Sequence, residues 1–154
     1  MPPPLQPGKI AMHRSASGIL MGLVASLFFY MEVAIGSDAL DATNALEGKV
    51  FVGHTGPLGS TAIDGEDEIV FKNGRFLSTA CTNWGFDAPP YRATVRPDGI
   101  YFEALTRSPQ HGQIQWRGVV TGNTLNATYL WTKHRWYWFD AREERRFQGK
   151  LKVD

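Results

Sequence analysis

The stretch "GQIQWRGVVTGNTLNATYLWT", Gly112 to Thr132, decides the fold class. Before its Gly-Asn pair, Ile114, Trp116, Gly118 and Val120 alternate with Gln113, Gln115, Arg117 and Val119. Side chains of a strand point to opposite faces in turn, so this period of two predicts two strands, each with an apolar and a polar face. Taking "TGNT" (Thr121 to Thr124) as a four-residue loop predicts that Val120 faces Leu125, Gly118 faces Ala127 and Trp116 faces Tyr129.

The same pattern recurs on both sides. "EIVFKNGRFLST" (Glu68 to Thr79) carries Asn-Gly between alternating apolar residues, the signal of a type I′ hairpin turn. "YRATVRPDGIYFEALTR" (Tyr91 to Arg107) predicts a second hairpin about "RPDG", with Tyr91, Ala93 and Val95 on one face. In the tail "RRFQGKLKV", Phe147, Gly149, Leu151 and Val153 oppose Arg146, Gln148, Lys150 and Lys152. "KVFV" (Lys49 to Val52) is read as the first strand, and the acid- and Gly-rich "GHTGPLGSTAIDGEDE" after it as a solvated loop.

Together these elements predict an all-β chain, an antiparallel up-and-down meander of about eight strands closing into a small barrel. An open sheet or a sandwich is the alternative. "LEGKVFV" (Leu46 to Val52) and "FQGKLKV" (Phe147 to Val153) share a pattern at opposite ends of the chain. Strands so matched are suited to pairing with each other, which removes exposed edges. A transmembrane barrel carries an apolar outer band; the outward residues here are polar on strand after strand.

The chain has 154 residues. Lys9, His13 and Arg14 precede the uncharged "GILMGLVASLFFY" (Gly18 to Tyr30), and Ala34 and Gly36 follow at small-x-small spacing. This order predicts a secretory signal peptide over residues 1–36, with a possible true start at Met12; an uncleaved anchor is the alternative. Residues 37–46 form a short N-terminal segment with helical character, and residues 47–154 a single β-barrel domain. The location expected is periplasmic or secreted. From Ser37 onward the chain holds 14 Lys+Arg and 14 Asp+Glu, without the cationic excess that nucleic acid demands. Cys81, the lone cysteine, rules out an internal disulfide and reads as a small buried residue.

In size, strand count and its "GK-V-F" first strand, the region from Leu46 to Val153 resembles the calycin group, the lipocalin-like and avidin-like barrels. That resemblance implies an internal ligand cavity and no particular functional residue. Gly48-Lys49-Val50 stands where the lipocalin signature sets a tryptophan after the first-strand glycine.

Candidate sites follow from the aromatic residues. If "TKHR" (Thr132 to Arg135) is also a four-residue loop, Trp131 faces Trp136 and Tyr129 faces Trp138. Trp116, Tyr129, Trp131, Trp136 and Trp138 then share the inward face, with Asp140 as a polar anchor beside the small Gly118 and Ala127. This arrangement predicts a site for a small hydrophobic or aromatic ligand. Rings that merely fill the interior are the alternative. The same register turns Tyr137 and Phe139 outward beside Leu130, as an exposed patch for an envelope protein partner. "CTNWGFDAPPY" (Cys81 to Tyr91) offers Trp84, Phe86 and Tyr91 as a lid, a second partner surface or a plug of the barrel end. "DAREERR" (Asp140 to Arg146) reads as a solvated hairpin tip.

No catalytic constellation is visible. His54, His111 and His134 lack the spacing of zinc ligands, and "DGEDE" lacks the ligand order of a calcium loop. There is no serine elbow, and Glu103 with Asp140 forms a carboxylate pair only by supposition. The expectation is a non-catalytic protein with no metal and no cofactor.

Overall fold

The computed structural model describes residues 42–153. The signal segment expected over residues 1–36 lies outside the described residues, as does the cleavage position. Among the described residues no helix is long and apolar enough to cross a membrane.

Residues 42–46 are helical, and eight strands follow: β1 (Val50–Pro57), β2 (Gly65–Lys72), β3 (Arg75–Ser78), β4 (Arg92–Arg96), β5 (Gly99–Ser108), β6 (Gly112–Thr121), β7 (Thr124–Lys133) and β8 (Ala141–Leu151). All pair antiparallel in one sheet of order β3-β2-β1-β8-β7-β6-β5-β4. The result is the all-β meander expected, strongly curled into a half-barrel. The first and last strands do pair, Gly53 against Gly149 and Phe51 against Leu151. The seam therefore lies elsewhere, between β3 and β4. There the chain entering β4 bridges across, with Phe76 N donating to Pro89 O at 2.9 Å and Arg75 Nη1 to Ala88 O at 2.7 Å.

Three hairpins form where the sequence signals them. Asn73 and Gly74 both have positive φ, 53° and 67°, as a type I′ turn requires. Arg96 pairs with Gly99 across Pro97-Asp98, and Thr121 with Thr124 across Gly122-Asn123. Val120–Leu125, Gly118–Ala127 and Trp116–Tyr129 are all cross-strand partners, as the alternation required.

Two expectations are corrected. The first strand runs on to Pro57, and β2 begins at Gly65 inside the supposed acidic loop. The inward residues of β1 are Phe51, Gly53 and Thr55, while Val52 is exposed. Leu46 belongs to the helical residues and Gly48, at φ 76°, turns the chain, so parity cannot be carried from Leu46 into β1.

The second correction is the β7–β8 connection. Lys133 pairs with Ala141, Trp131 with Glu143 and Tyr129 with Arg145, so the loop covers residues 134–140. "DAREERR" is mostly the first half of β8 rather than a tip. Placing Trp136 and Trp138 inward in one unbroken strand would put even-numbered residues inside and turn Phe147, Gly149 and Leu151 out. A shift of one residue exchanges the faces of a whole strand. Phe147 is buried with Ala127 as its partner on β7 and Thr55 on β1, and that frame prevails.

The core is aromatic. Phe71 contacts Phe51, Phe76, Tyr91 and Phe102 with ring centroids 4.9–6.2 Å apart, each edge to face. Burial of each such side chain stabilises by about 1.5–3 kcal/mol, and each ring pair adds roughly 0.5–1.5 kcal/mol. The helical residues 42–46 close the end with the tight turns. Ala42 and Leu46 are fully buried, and the Glu47 carboxylate accepts from Asn73 N and Gly74 N.

Candidate functional site

The two ends of the half-barrel differ. Residues 73–74, 97–98 and 122–123 make short turns at one end. The other carries residues 58–64, 79–91, 109–111 and 134–140. Leu58, Ile63, Trp84, Trp136, Tyr137, Trp138 and Phe139 are exposed on these connections, whereas only Val52, Val95 and Val153 are exposed large apolar residues elsewhere among the described residues. The exposed large apolar side chains thus gather mainly at the long-loop end.

Inside, the expected aromatic face is half realised. Trp116 is buried, stacks on Tyr129 with centroids 4.2 Å apart, and donates through Nε1 to Thr106 Oγ1 at 3.4 Å. Trp131 lies beside it, partly buried, with Nε1 donating to His111 O at 2.7 Å. The space beside Gly118 and Ala127, expected as the pocket, is filled. A Cβ on Gly118 would meet Phe102 Cε1 at 2.5 Å and the Ala127 Cβ at 2.9 Å. Trp136, Trp138 and Asp140 do not face this interior, because the longer loop carries them out.

Above the aromatic fill, the inward residues turn polar. The Asp67 carboxylate, expected in a solvated loop, is buried on β2. It accepts from Ser78 Oγ at 2.5 Å, Thr79 Oγ1 at 3.2 Å and the N–H groups of Ala80 and Glu68. These bonds hold the helical turn Thr79–Thr82, whose N-cap is Ser78. Cys81 on this turn packs against the core, and burial first, then the Asp67 charge, pushes its thiol up to about 11. A thiol so shifted is not a nucleophile near neutral pH. Arg145 donates to Tyr129 Oη at 3.0 Å and pairs with Asp64 and Glu143. Burial opposes its charge, but these three partners outweigh burial and hold the guanidinium protonated. Hydrogen bonding to Arg145 in turn holds the Asp64 carboxyl below its ordinary range.

The rim is the β7–β8 loop. Trp136, Tyr137, Trp138 and Phe139 are 90, 66, 69 and 85% exposed. Tyr137 and Phe139 are thus exposed as expected, though on a loop rather than a strand face. Asp140 clamps the loop at its base: one carboxylate oxygen accepts from Arg135 N at 3.1 Å and lies 2.8 Å from His134 Nδ1. Between this base and the β5–β6 turn runs a cleft of about 990 Å³ bordered by Asp87, Arg107, Lys133 and Arg142. Trp84 is exposed at the same end, edge-on to His111, while Phe86 and Tyr91 are buried and close the seam. The stretch from Cys81 to Tyr91 is therefore plug and surface at once.

Sequence reasoning missed one more surface. On the polar face of β4 to β8 lies an open cleft of about 710 Å³, walled by Arg92, Arg96, Arg117 and Arg146. Outward parity was readable for these arginines; that five strands would set them around one cleft was not. Glu103 stands there too, 3.3 Å from Arg117 and remote from Asp140, so the supposed carboxylate pair does not form. Among the described residues no three histidine, cysteine or acidic side chains converge to hold a metal ion.

Comparison with protein-family models, curated proteins and solved structures finds no match to this chain.

Proposed function

We propose that this chain is an exported, non-catalytic docking module that holds a protein of the cell envelope through the aromatic rim of its long-loop end. The observation that carries this reading is the run Trp136–Phe139: four consecutive large rings in solvent on a loop clamped by Asp140. Leaving so much apolar surface in water is unfavourable unless a partner covers it. Tryptophan, tyrosine and arginine also dominate the energetics of protein interfaces. A protein partner is favoured over an anionic bilayer by charge. From Lys133 to Arg145 the chain sets Lys133, Arg135, Arg142 and Arg145 against Asp140, Glu143 and Glu144. Such a near balance lacks the cationic excess that anionic lipid attracts.

Photocrosslinking from position 137 in intact cells tests this. One saturable adduct with a defined envelope protein is expected, lost on Trp136→Ser/Trp138→Ser with the unfolding midpoint unchanged. Adducts to lipid alone, or adducts that survive the double substitution, would overturn the reading.

A small hydrophobic ligand is the second reading, supported by Tyr129 and Trp131, which stay partly exposed at the mouth above the filled interior. Its check is a fluorescence titration with a hydrophobic probe, in which saturation must disappear on Trp131→Phe.

A further inference from the structure

We propose that the arginine cleft on the polar face of β4 to β8 is a second binding site, separate from the aromatic rim, and that it takes an acidic oligosaccharide. The cleft is cationic in a chain that is otherwise near neutrality. Arg92, Arg96, Arg117 and Arg146 are set against Glu103 within the cleft and Asp98 beside Tyr101.

The register explains how it is built. Arg92 pairs with Glu103, Glu103 with Arg117, Arg117 with Thr128, and Thr128 with Arg146, so these five side chains form one row across five strands. Adjacent strands lie about 4.8 Å apart, which sets successive arginines of the row about 10 Å apart along the sheet. A row of cations at regular intervals suits a linear polyanion better than a single compact anion.

Two of the four arginines, Arg92 and Arg146, have no carboxylate paired with them among the described residues. Arg146 spends its donors on the neutral carbonyl oxygens of Ser60 (2.7 Å) and Ala62 (3.0 Å), which fix the side chain without cancelling its charge. Arg96 lies over the Tyr101 ring, 4.4 Å from the centroid. Arg92 makes no ion pair among the described residues, Arg117 has Glu103 3.3 Å away, and the Asp98 carboxylate, which accepts from Tyr101 Oη, attracts Arg96. The fork of a guanidinium matches the two oxygens of a carboxylate or sulfate.

Hydrogen-bonding chemistry narrows the ligand. Between the arginines the cleft is bordered by Thr94, Asn126, Thr128 and Gln148, neutral hydroxyl and amide groups that both donate and accept. Such groups match sugar hydroxyls. A nucleic-acid site offers aromatic faces for bases; here Phe102 and Phe147 are buried in the core, and the third ring, Tyr101, is covered by Arg96.

The experiment is calorimetric titration of the exported chain with oligogalacturonate of defined length, at low and physiological salt. Saturable binding that weakens as salt rises is expected, with none for the fully methyl-esterified oligomer. Arg92→Ala and Arg117→Ala should each weaken binding roughly tenfold, the scale of one charge-assisted hydrogen bond. Glu103→Gln should tighten it, because the competing carboxylate is removed; a purely structural role for Glu103 gives no such gain. Lys72→Ala, exposed on β2 away from the cleft, should leave affinity unchanged. The proposal fails if the acid oligomer does not saturate, if Arg92→Ala and Arg117→Ala bind as the unaltered chain does, if Glu103→Gln fails to tighten binding, or if a single-stranded oligonucleotide of equal charge binds more tightly. The rim substitutions at Trp136 and Trp138 leave this binding intact, so either reading can fail without the other.

Discussion

The Phe102 ring occupies the place where a side chain at Gly118 would begin, with its Cε1 only 2.5 Å from the position a Cβ would take. This contact makes the interior of the half-barrel a filled core at the level of Trp116, Gly118 and Ala127. It is also the reason β5 and β6 can bring Phe102 and Gly118 together as cross-strand partners.

Gly118→Ala should therefore destabilise the fold by about 1–3 kcal/mol, the range for overpacking a tight core. Urea denaturation measures this. Combining it with Phe102→Leu should give less than the sum of the two single effects, because the smaller side chain relieves the clash. Strict additivity would show that the two residues do not compete for space.

Asp67→Ala removes the acceptor of Ser78, Thr79, Ala80 and Glu68 together. Leaving buried donors unpaired costs roughly 1–3 kcal/mol each, although those with access to water at the turn lose less. The expected result is a lower unfolding midpoint and faster amide exchange at Ala80 and Cys81. Unaltered exchange there would mean that the turn does not depend on the carboxylate.

Alkaline pH should weaken the fold. Burial raises the Cys81 thiol from 9.0 to about 11 and the Tyr91 hydroxyl from 10.0 to about 12. Both groups bind their protons more tightly when folded, so the stability linked to them is complete below pH 9. It is lost progressively between about pH 9 and 12 as the unfolded chain ionises first. Cys81→Ala should flatten the lower part of that decline, which pH-dependent denaturation curves would show. At pH 7.5 the thiol should react with a disulfide reagent only after unfolding.

Acrylamide quenching should resolve two classes of tryptophan. Trp84, Trp136 and Trp138 are exposed, whereas Trp116 is buried. Replacing Trp136 and Trp138 by Phe should remove most of the readily quenched emission and change stability by less than about 0.5 kcal/mol. Quenching that stays the same would place those rings inside and overturn the β7–β8 register.

The hairpins β2–β3, β4–β5 and β6–β7 were legible because each turn is local. Asn73-Gly74, Pro97-Asp98 and Gly122-Asn123 set the strand register from within a few residues, and alternation then assigns the faces of Trp116, Tyr129 and Phe147. Tyr137 and Phe139 are exposed, but on a loop rather than on the strand face beside Leu130 that the turn at "TKHR" implied.

What lay beyond local reach was decided by partners far along the chain. β8 pairs with both β1 and β7, and the burial of Phe147 between Thr55 and Ala127 fixed its parity against the turn that "TKHR" suggested. That nonlocal pairing put Trp136 and Trp138 into solvent. Asp67 became a buried acceptor only because β3 brought Ser78 to it, and Arg92, Arg117 and Arg146 became one cleft only because five strands lay side by side. Sequence alone determined the three local hairpins, the faces of their strands and their tight turns, since period and turn chemistry act between near neighbours. The tertiary structure decided which loops stay long and which charges meet, since these depend on core contacts between residues distant in the chain.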